Sequence, residues 1–240
     1  RSRGAATVAL TMEPGSPLGR AAGHVLRYAA PYTTGIPIDP ADSNYSVLYM
    51  LLAGLIRQRG GADLTAPLLA SLSALGPVIE GARSRLADRL DAYALRVKDR
   101  PVVYTMASGV NFGAAYSFAI CVLMEMQWIA SQAIHAGEFF HGPFEVVDRD
   151  ACFILLVGLD PTRPSEERAR AFLQRFGDPA NILDLDAATF DLAGLADPWR
   201  AYLLPLVFFD VLWDFAHRLA RLRGHPMLTG RRYMKKITDY

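Results

Sequence analysis

Short runs of apolar and β-branched residues alternate along this chain with longer segments of helical periodicity. The runs occupy residues 6–11, 102–106, 152–158 and 181–186, and each ends in a turn or loop rich in Gly, Pro or Asp. A run of this length bounded by turn residues is typical of a strand buried on both faces. Strands that alternate with helices predict an α/β fold, a three-layer αβα sandwich around a parallel sheet.

The amphipathic stretch in the middle of the chain suggests how the domains are arranged. Between Leu64 and Lys98 charged residues mix with a Leu/Ala stripe, as expected for helices packed along one face. We therefore expect residues 1–65 to form the C-terminal part of a first domain, residues 66–100 to form connecting helices, and residues 101–240 to form a second domain with a C-terminal tail.

Helix ends can be predicted at several positions. Ser16 and Pro17 predict a helix start for the segment 16–29, and Ser165 is the predicted cap of a helix that follows the strand at 152–158. Between these two, residues from Phe112 to about Ser131 are predicted to form one long apolar helix, and Pro205 is expected to interrupt a later one.

Composition excludes some classes of function. The 240 residues carry 25 basic and 24 acidic side chains, a net charge of +1, so nothing favours a nucleic-acid partner, and the basic segment GRRYMKK is expected to be solvated surface. The most apolar helix contains Glu125 and Gln127, which argues against a membrane span.

The two cysteines, Cys121 and Cys152, lie in apolar runs and are expected to be buried free thiols in a reducing compartment. Without a visible signal peptide, we expect a cytoplasmic protein. The sequence begins at Arg1 rather than at a methionine, so we also expect further sequence upstream.

Glu125 is the main candidate for chemistry. It is the only ionisable Asp, Glu, Lys or Arg between Asn111 and Gly137, and its neighbours are apolar. Desolvation of such a carboxylate moves its pKa toward the range of a general acid or base. The alternative, weighed equally, is a structural glutamate neutralised by an arginine or by a helix N-terminus.

The polar loop that follows supplies histidines. His141 precedes Gly142-Pro143, which would fix the orientation of its imidazole, and His135 is the competing candidate. A metal site is not expected, because the two histidines lack the helical i, i+4 spacing of known zinc motifs. The turn Ser108-Gly109, between a strand and a helix, is a weak candidate for binding oxygen or phosphate through backbone N–H groups.

The pattern SG…YSFAICVLMEMQWI…AIHAGEFFHGPFEVVD resembles the second sugar isomerase (SIS) domain of double-SIS enzymes. It is most similar to fructosamine-type 6-phosphate deglycases, including the fructoselysine and fructose-asparagine kinds. A more distant similarity is to the isomerase half of glutamine–fructose-6-phosphate aminotransferase. The ending HPMLTGRRYMKKITDY also resembles the deglycase tail. The resemblance covers residues 101–240 well and implies that the first SIS domain is only partly present.

This resemblance implies roles for individual residues. Glu125 matches the general base and His141 the general acid, Ser108 contacts the sugar, and Lys236 matches a tail lysine that meets the open-chain sugar, with Lys235 as its rival. It also implies a homodimer in which the histidine comes from the neighbouring subunit. The phosphate-binding loops belong to the first SIS domain, so the 240 residues alone are expected to be poorly active.

The implied reaction is hydrolysis of a phosphorylated sugar-amine substrate, a ketosamine 6-phosphate, to glucose 6-phosphate and a free amine or amino acid. No metal or organic cofactor is expected, because the C2 carbonyl and the C1 amine of the substrate supply the electron sink. The alternatives are a sugar-phosphate isomerase or aminotransferase and a sugar-phosphate-sensing SIS module without catalysis. The presence of both Glu125 and His141 favours an enzyme, since a sensor needs neither group.

Overall fold

Parallel strands form both sheets found among the described residues. The computed structural model describes residues 4–29, 43–234 and 236–237, so Lys235 lies outside the described residues. Internal contacts divide the chain into two units, one made of residues 1–77 with 192–199 and the other of residues 78–191 with 200–240. The division falls inside a helix, α3 (Thr65–Val97), which occupies the segment predicted to connect the domains.

The first unit contains a small parallel sheet with helices beside it. Its elements are β1 (Val8–Thr11), α1 (Pro17–Ala21), β2 (His24–Arg27), α2 (Asn44–Gln58) and the beginning of α3. Strands β1 and β2 pair in register from Val8 opposite His24 to Thr11 opposite Arg27. Residues 192–199 contact the earlier part of this unit through Trp199, since its indole Nε1 donates to the Leu64 carbonyl at 3.0 Å.

The prediction of one helix over residues 16–29 is wrong at its second half. Its start is confirmed, since the Ser16 hydroxyl accepts from the Gly19 amide at 3.2 Å and Pro17 is the first helical residue. The helix then ends at Ala21, because the amides of Gly23 and His24 donate to the Thr7 carbonyl and draw the chain into β2. Pairing with a neighbouring strand overrides the local helical pattern here.

The second unit is built on a parallel sheet in which four strands are described, in the order β4-β3-β5-β6. Its strands are β3 (Val102–Ala107), β4 (Ala130–His135), β5 (Phe153–Val157) and β6 (Ile182–Asp186). Strand β5 is buried along its whole length, as its unbroken apolar sequence predicts. Three of these strands, β3, β5 and β6, confirm predicted runs.

Helices cover both faces of this sheet. They are α4 (Phe112–Ser117), α5 (Arg163–Phe176), α6 (Asp197–Arg223) and the later part of α3. On one face, Ala169 and Leu173 of α5 pack in a cluster with Phe153 and Leu155 of β5. On the other side, Tyr93 of α3 contacts Phe215 of α6, and its hydroxyl donates to the Phe153 carbonyl at 3.0 Å. The predicted three-layer α/β arrangement around a parallel sheet is therefore confirmed for this unit.

The predicted helix from Phe112 to about Ser131 is also wrong in its second half. Regular α-helix stops at Ser117, and a π-helical segment follows over Phe118–Met124. Its wider spacing shows in the amides of Glu125 and Gln127, which donate to carbonyls five residues earlier at 3.0 and 2.9 Å. The chain then enters β4, whose sequence ASQAIH carries too few large apolar residues to signal a strand.

Two smaller predictions about helices need correction. Helix α5 starts at Arg163 with Thr162 before it, not at the predicted cap Ser165, because Pro164 already suits the first turn. Pro205 lies inside α6, which continues past it to Arg223 instead of being interrupted. Among the described residues, no helix combines the length and the apolar character that crossing a bilayer requires.

Replacing Phe139 tests the packing on the α5 face. Its ring is fully buried and contacts Phe140 and Phe172 edge-on. Phe139→Ala should lower the free energy of unfolding by about 3–5 kcal/mol, because it removes a buried ring and leaves a cavity. Chemical denaturation measures this. The same change at Phe176, which is 43% exposed, should cost about 1 kcal/mol or less, and equal losses at the two sites would contradict the assigned core.

Candidate active site

Glu125 directly follows the π-helical segment and meets an arginine from the C-terminal tail. Its Oε1 lies 2.9 Å from Nε of Arg231, and the side chains of Glu125 and Arg231 are only 20% and 13% exposed. Both interpretations of Glu125 therefore have a physical basis in the structure. The carboxylate is largely shielded from water, and an arginine neutralises it.

The apolar surroundings predicted for Glu125 are only half present. Phe118, Val122 and Leu123 of the same segment are fully buried, whereas Ile120, Met124 and Trp128 are between 38% and 47% exposed. The carboxylate thus lies at the border between the core and an open apolar surface.

A pocket of about 370 Å³ opens beside Glu125. Its walls come from the end of the π-helical segment, the start of β4 and the tail; the lining residues are Met124, Glu125, Trp128, Ile129, Ala130, Arg231, Arg232, Tyr233 and Met234. A volume of this size suits a small ligand. The expectation that GRRYMKK is only solvated surface is wrong for Arg231 and Arg232, which line this pocket.

Trp128 shapes the wall of the pocket through an uncommon backbone conformation. Its φ of 56° places a bulky residue in the left-handed region, where the chain turns from the π-helical segment into β4. Such a conformation is strained for a side chain of this size and persists only where its surroundings hold it. The Trp128 ring is held by the Arg232 guanidinium, 3.8 Å from its centre, and by the edge of His225.

His141 lies on a loop beyond the end of β4. Its side chain is 71% exposed, and its Nδ1 lies 3.3 Å from Oε2 of Glu138. Gly142, with φ of 146°, bends the chain directly after it, as the Gly-Pro pair predicts. The neighbouring rings of Phe140 and Phe144 pack on Phe172 of α5, so an aromatic cluster fixes the base of this loop.

The competing histidine, His135, is already engaged. It is the last residue of β4, and its Nδ1 accepts a hydrogen bond from the Gly137 amide at 3.1 Å. Its ring also meets the edge of Phe112. These contacts favour a structural role for His135 and leave His141 as the more accessible imidazole of the two.

Strand β4 separates Glu125 from His141. The pocket of Glu125 includes Ala130, where β4 starts, whereas His141 follows His135, where β4 ends. Six residues of strand span about 16 Å. The described contacts give Glu125 to Arg231 and His141 to Glu138, and do not join these two candidates to each other.

Ser108 lies at the carboxyl end of β3 and is fully buried in a hydrogen-bond network. Its hydroxyl lies 2.7 Å from Oε1 of Glu166 and 2.8 Å from Oγ1 of Thr162. The backbone amides of Ser108 and Gly158 donate to the same Glu166 carboxyl at 2.9 and 2.7 Å. A contact between Ser108 and a sugar remains a prediction, and it would require this network to open.

A second carboxylate fills the rest of this turn. Oδ2 of Asp160 accepts from the Val110 amide at 3.0 Å, and its Oδ1 accepts from the Thr162 amide at 2.7 Å. Gly109 has φ of 50°, and a Cβ there would lie 2.4 Å from Oδ2 of Asp160, so the turn admits only glycine. Neighbouring Asn111 is fully buried, and neither side-chain amide atom has a hydrogen-bond partner among the described residues.

This network occupies the crevice where α/β sheets usually bind ligands. Strands β3 and β5 are neighbours, and the chain leaves β3 toward the opposite side to form β4, so the strand order reverses between them. The backbone donors expected to hold an oxyanion at Ser108-Gly109 are instead used by Glu166 and Asp160.

The tail places Lys236 shortly after the residues that line the pocket. Its backbone amide donates to the Tyr233 carbonyl at 2.8 Å, and its side chain is exposed. Lys236 therefore follows a turn that starts from a pocket residue, while its predicted rival, Lys235, lies outside the described residues. A contact between Lys236 and a substrate stays a prediction.

Sequence reasoning missed Arg231, Trp128 and Glu166. A basic tail gives no sign of which guanidinium turns inward, and Trp128 looked like an ordinary residue of a long helix. Glu166 had a usable signal, because it follows a strand, a Gly-Asp turn and a helix start, where a carboxylate meets backbone N–H groups.

Known proteins resemble this chain over nearly its full length. A relative from Bacillus subtilis named fructosamine deglycase FrlB is 44% identical over 237 residues, which are 99% of this chain and 70% of the relative. The fructoselysine 6-phosphate deglycase of Escherichia coli K12 is 28% identical over 243 residues and matches 100% of this chain and 66% of its own length. No protein-family model matches the chain.

A solved structure gives the same result for the fold. A Bacillus subtilis protein described as a phosphosugar isomerase superimposes with a TM-score of 0.90 at 42% identity, over 99% of this chain and 70% of the other. The chain therefore spans about two thirds or slightly more of the length of these relatives.

Glu166 gives a pH-dependent prediction. Burial raises the pKa of this carboxyl, although hydrogen bonds from Ser108 and Gly158 act in the opposite direction. The folded protein thus keeps the proton to a higher pH than the unfolded chain, whose value stays near 4.5. Wild-type stability should therefore fall, relative to Glu166→Gln, as the pH rises from 4.5 through the raised pKa.

Denaturant titrations of both proteins between pH 4 and pH 8 measure this effect. At every pH the variant should also be less stable by about 1–3 kcal/mol, because the glutamine NH2 cannot accept from the Gly158 amide. Two stability curves that run parallel over this range would contradict the raised pKa.

Proposed function

The chain belongs to the fructosamine deglycase family, and on this premise we propose that it carries the proton-transfer groups of a ketosamine 6-phosphate deglycase. The reaction is hydrolysis of a 6-phosphorylated sugar-amine adduct to glucose 6-phosphate and a free amine or amino acid. The observation that carries the proposal is the Glu125 carboxylate, shielded and paired with Arg231 at the wall of an open pocket.

Glu125 acts on the sugar carbons next to the amine. It removes a proton from C1 of the open-chain ketosamine, and the electron pair forms the C1–C2 double bond of an enaminol. Return of a proton to C2 moves the double bond to C1 and nitrogen, which gives an imine. Water adds to this imine and releases the amine, so the overall balance is ketosamine phosphate plus water to glucose 6-phosphate plus amine.

Arg231 positions the base for this work. Its Nε approaches Oε1 of Glu125, whereas no described contact engages Oε2. A carboxylate paired with a guanidinium at one oxygen still offers its other oxygen to a substrate proton. Arg231 acts through Glu125 in this scheme and does not itself react.

His141 assists ring opening and protonation, and we assign it to the neighbouring subunit of a homodimer. Within one chain, Glu125 lies near the amino end of β4, and His141 lies beyond its carboxyl end. A second copy of the chain supplies the imidazole that the pocket lacks. Shared sites of this kind require a closed, two-fold symmetric interface.

An exposed apolar stripe supports this homodimer. Tyr116, Ile120, Met124 and Trp128 recur every four residues along α4 and the segment after it, and each is between 38% and 53% exposed. Exposed large apolar side chains repeated along one segment are typical of an interaction site. Because Met124 and Trp128 also line the Glu125 pocket, the stripe would bring the partner to the site itself.

We place the reaction in the cytoplasm. Both cysteines are free thiols, as expected for a reducing compartment. The prediction that both are buried is wrong for Cys121, which is exposed, because it lies in the π-helical segment next to Ile120 of the apolar stripe. Burial raises the pKa of the Cys152 thiol, which keeps it unreactive.

Sugar-phosphate isomerisation is the second candidate, favoured by the similarity to a solved protein described as a phosphosugar isomerase. The same pair of groups transfers protons between C1 and C2 in that reaction. Release of an amine separates the two functions, because an isomerase interconverts an aldose phosphate and a ketose phosphate without releasing one.

Glu125→Gln tests the proposed base. In the full-length protein, with a panel of fructosamine 6-phosphates, it should lower kcat by about a hundredfold to ten-thousandfold, because the amide cannot accept the C1 proton. Glucose 6-phosphate release in a coupled assay measures this. Glu80→Gln, which changes a glutamate on the exposed face of α3, is the matched control and should leave kcat unchanged.

Two outcomes would contradict the proposal. Turnover of Glu125→Gln at the wild-type rate would exclude Glu125 as the base. Conversion of aldose and ketose phosphates without release of glucose 6-phosphate from any fructosamine 6-phosphate would favour the isomerase.

Mixed dimers test the shared site. Glu125→Gln and His141→Ala subunits, co-expressed with different tags and isolated as the heterodimer, should recover about half of the wild-type activity, because one of the two sites then holds both groups. Each variant alone should be inactive. A heterodimer as inactive as either parent would show that His141 does not act across subunits.

A further inference from the structure

The Glu125 pocket holds a guanidinium group that the proposed proton transfer does not use. Arg231 is paired with Glu125, whereas the neighbouring Arg232 makes no ion pair or hydrogen bond with any described residue. Arg232 is exposed and lines the same pocket. A cation left unpaired at the wall of a pocket is available to a ligand.

The position of Arg232 is fixed by stacking. Its guanidinium carbon lies 3.8 Å from the centre of the Trp128 ring. The ring is in turn held by its own left-handed backbone conformation and by the edge of His225, 4.4 Å away between ring centres. A guanidinium stacked on an indole keeps its N–H groups free around its rim, where they match the two oxygens of a carboxylate or phosphate.

The charge balance of the pocket favours an anion. One carboxylate, Glu125, faces two guanidinium groups, those of Arg231 and Arg232, and the other lining residues are neutral. Most of the remaining wall is apolar, since it consists of Met124, Trp128, Ile129, Ala130, Tyr233 and Met234. An oxyanion with an adjoining apolar group fits such a surface.

We propose that Arg232, stacked on Trp128, forms a substrate oxyanion subsite next to the base Glu125, a proposal that rests on the deglycase function above. A ketosamine 6-phosphate made from an amino acid offers two oxyanions, the carboxylate of its amino-acid part and the 6-phosphate. When the amino acid is joined through its α-amine, only the nitrogen and the α-carbon separate that carboxylate from C1, whereas the whole sugar chain separates the phosphate from C1. Proximity to Glu125 therefore favours the carboxylate, with the amino-acid side chain on the apolar wall.

Binding measurements with inert analogues test the subsite without depending on turnover. The ligands are ketosamine 6-phosphates in which the C2 carbonyl is reduced to a hydroxyl. One carries an amino acid with a free carboxylate, a second carries the corresponding amide, and a third is the carboxylate form without the phosphate. Titration calorimetry on the full-length protein gives Kd for each with wild type, Arg232→Gln and Arg232→Lys.

We expect Arg232→Gln to weaken binding of the free carboxylate analogue by about tenfold to a hundredfold, the value of a charged hydrogen-bonded pair, and to leave the amide analogue unchanged. Arg232→Lys keeps the charge without the planar fork and should give an intermediate loss. Arg175→Gln removes an arginine stacked on Phe176 outside the pocket and is the matched control, with no expected change in Kd.

Each result decides the proposal. Equal losses for the carboxylate and amide analogues, with none for the analogue that lacks phosphate, would retain the subsite and assign it to the 6-phosphate. Unchanged Kd values for all three analogues in both Arg232 variants would overturn it. If no ketosamine 6-phosphate is hydrolysed but the Kd differences persist, the deglycase function is wrong and the oxyanion subsite stands.

Discussion

Strand β4 imposes the constraint on which the proposed chemistry depends. In a parallel sheet, the segment that precedes a strand lies at the amino ends of the strands, and the segment that follows it lies at their carboxyl ends. The seventeen residues from Glu125 to His141 contain the whole of β4, so the two candidate groups lie near different ends of that strand. Glu125 and His141 are close in sequence, but β4 keeps them apart in space. This separation is the reason for proposing that a second copy of the chain completes the site, and the exposed apolar side chains from Tyr116 to Trp128 are the surface proposed for its binding.

In the second unit, the amino ends and the carboxyl ends of the strands also differ in the charged groups that lie there. At the carboxyl edge, where open α/β sheets usually bind ligands, Glu166 and Asp160 take up the backbone N–H groups that would otherwise face an anion. The crevice is thus occupied by the protein's own carboxylates, and its conformation is fixed by Gly109 and Gly158, where any side chain would collide with its neighbours. Near the amino end of β4, the pocket is open and carries two guanidinium groups against one carboxylate. We therefore expect an anion to bind in the pocket lined by the tail, and not at the carboxyl ends of the strands.

Local sequence patterns predicted what depends on local structure. The apolar runs gave β3, β5 and β6, and Ser16-Pro17 gave a helix start, because burial and capping are visible in neighbouring residues. Strands β2 and β4 were missed because their sequences are weakly apolar and their conformation is decided by pairing with β1 and β3. The isolation of Glu125 in an apolar stretch predicted a partly shielded carboxylate, and the structure shows one at the wall of a pocket, whereas the catalytic role of Glu125 stays a prediction. Its partner Arg231 was not predictable, because more than a hundred residues separate the two and only the docked tail brings them together.

The docked tail links the shape of the pocket to its chemistry. Trp128 in the left-handed region costs on the order of 1–3 kcal/mol of backbone strain, and that strain persists only if nearby contacts offset it. Arg232 provides one such contact by stacking on the indole, and Arg231, the residue before it, holds the Glu125 carboxylate. Two consecutive arginines thus contact the turn that ends the π-helical segment and the Glu125 carboxylate that follows this segment. It follows that docking of the tail and formation of the pocket are one event: a tail that leaves would remove the counter-charge of Glu125 and the support of Trp128 together.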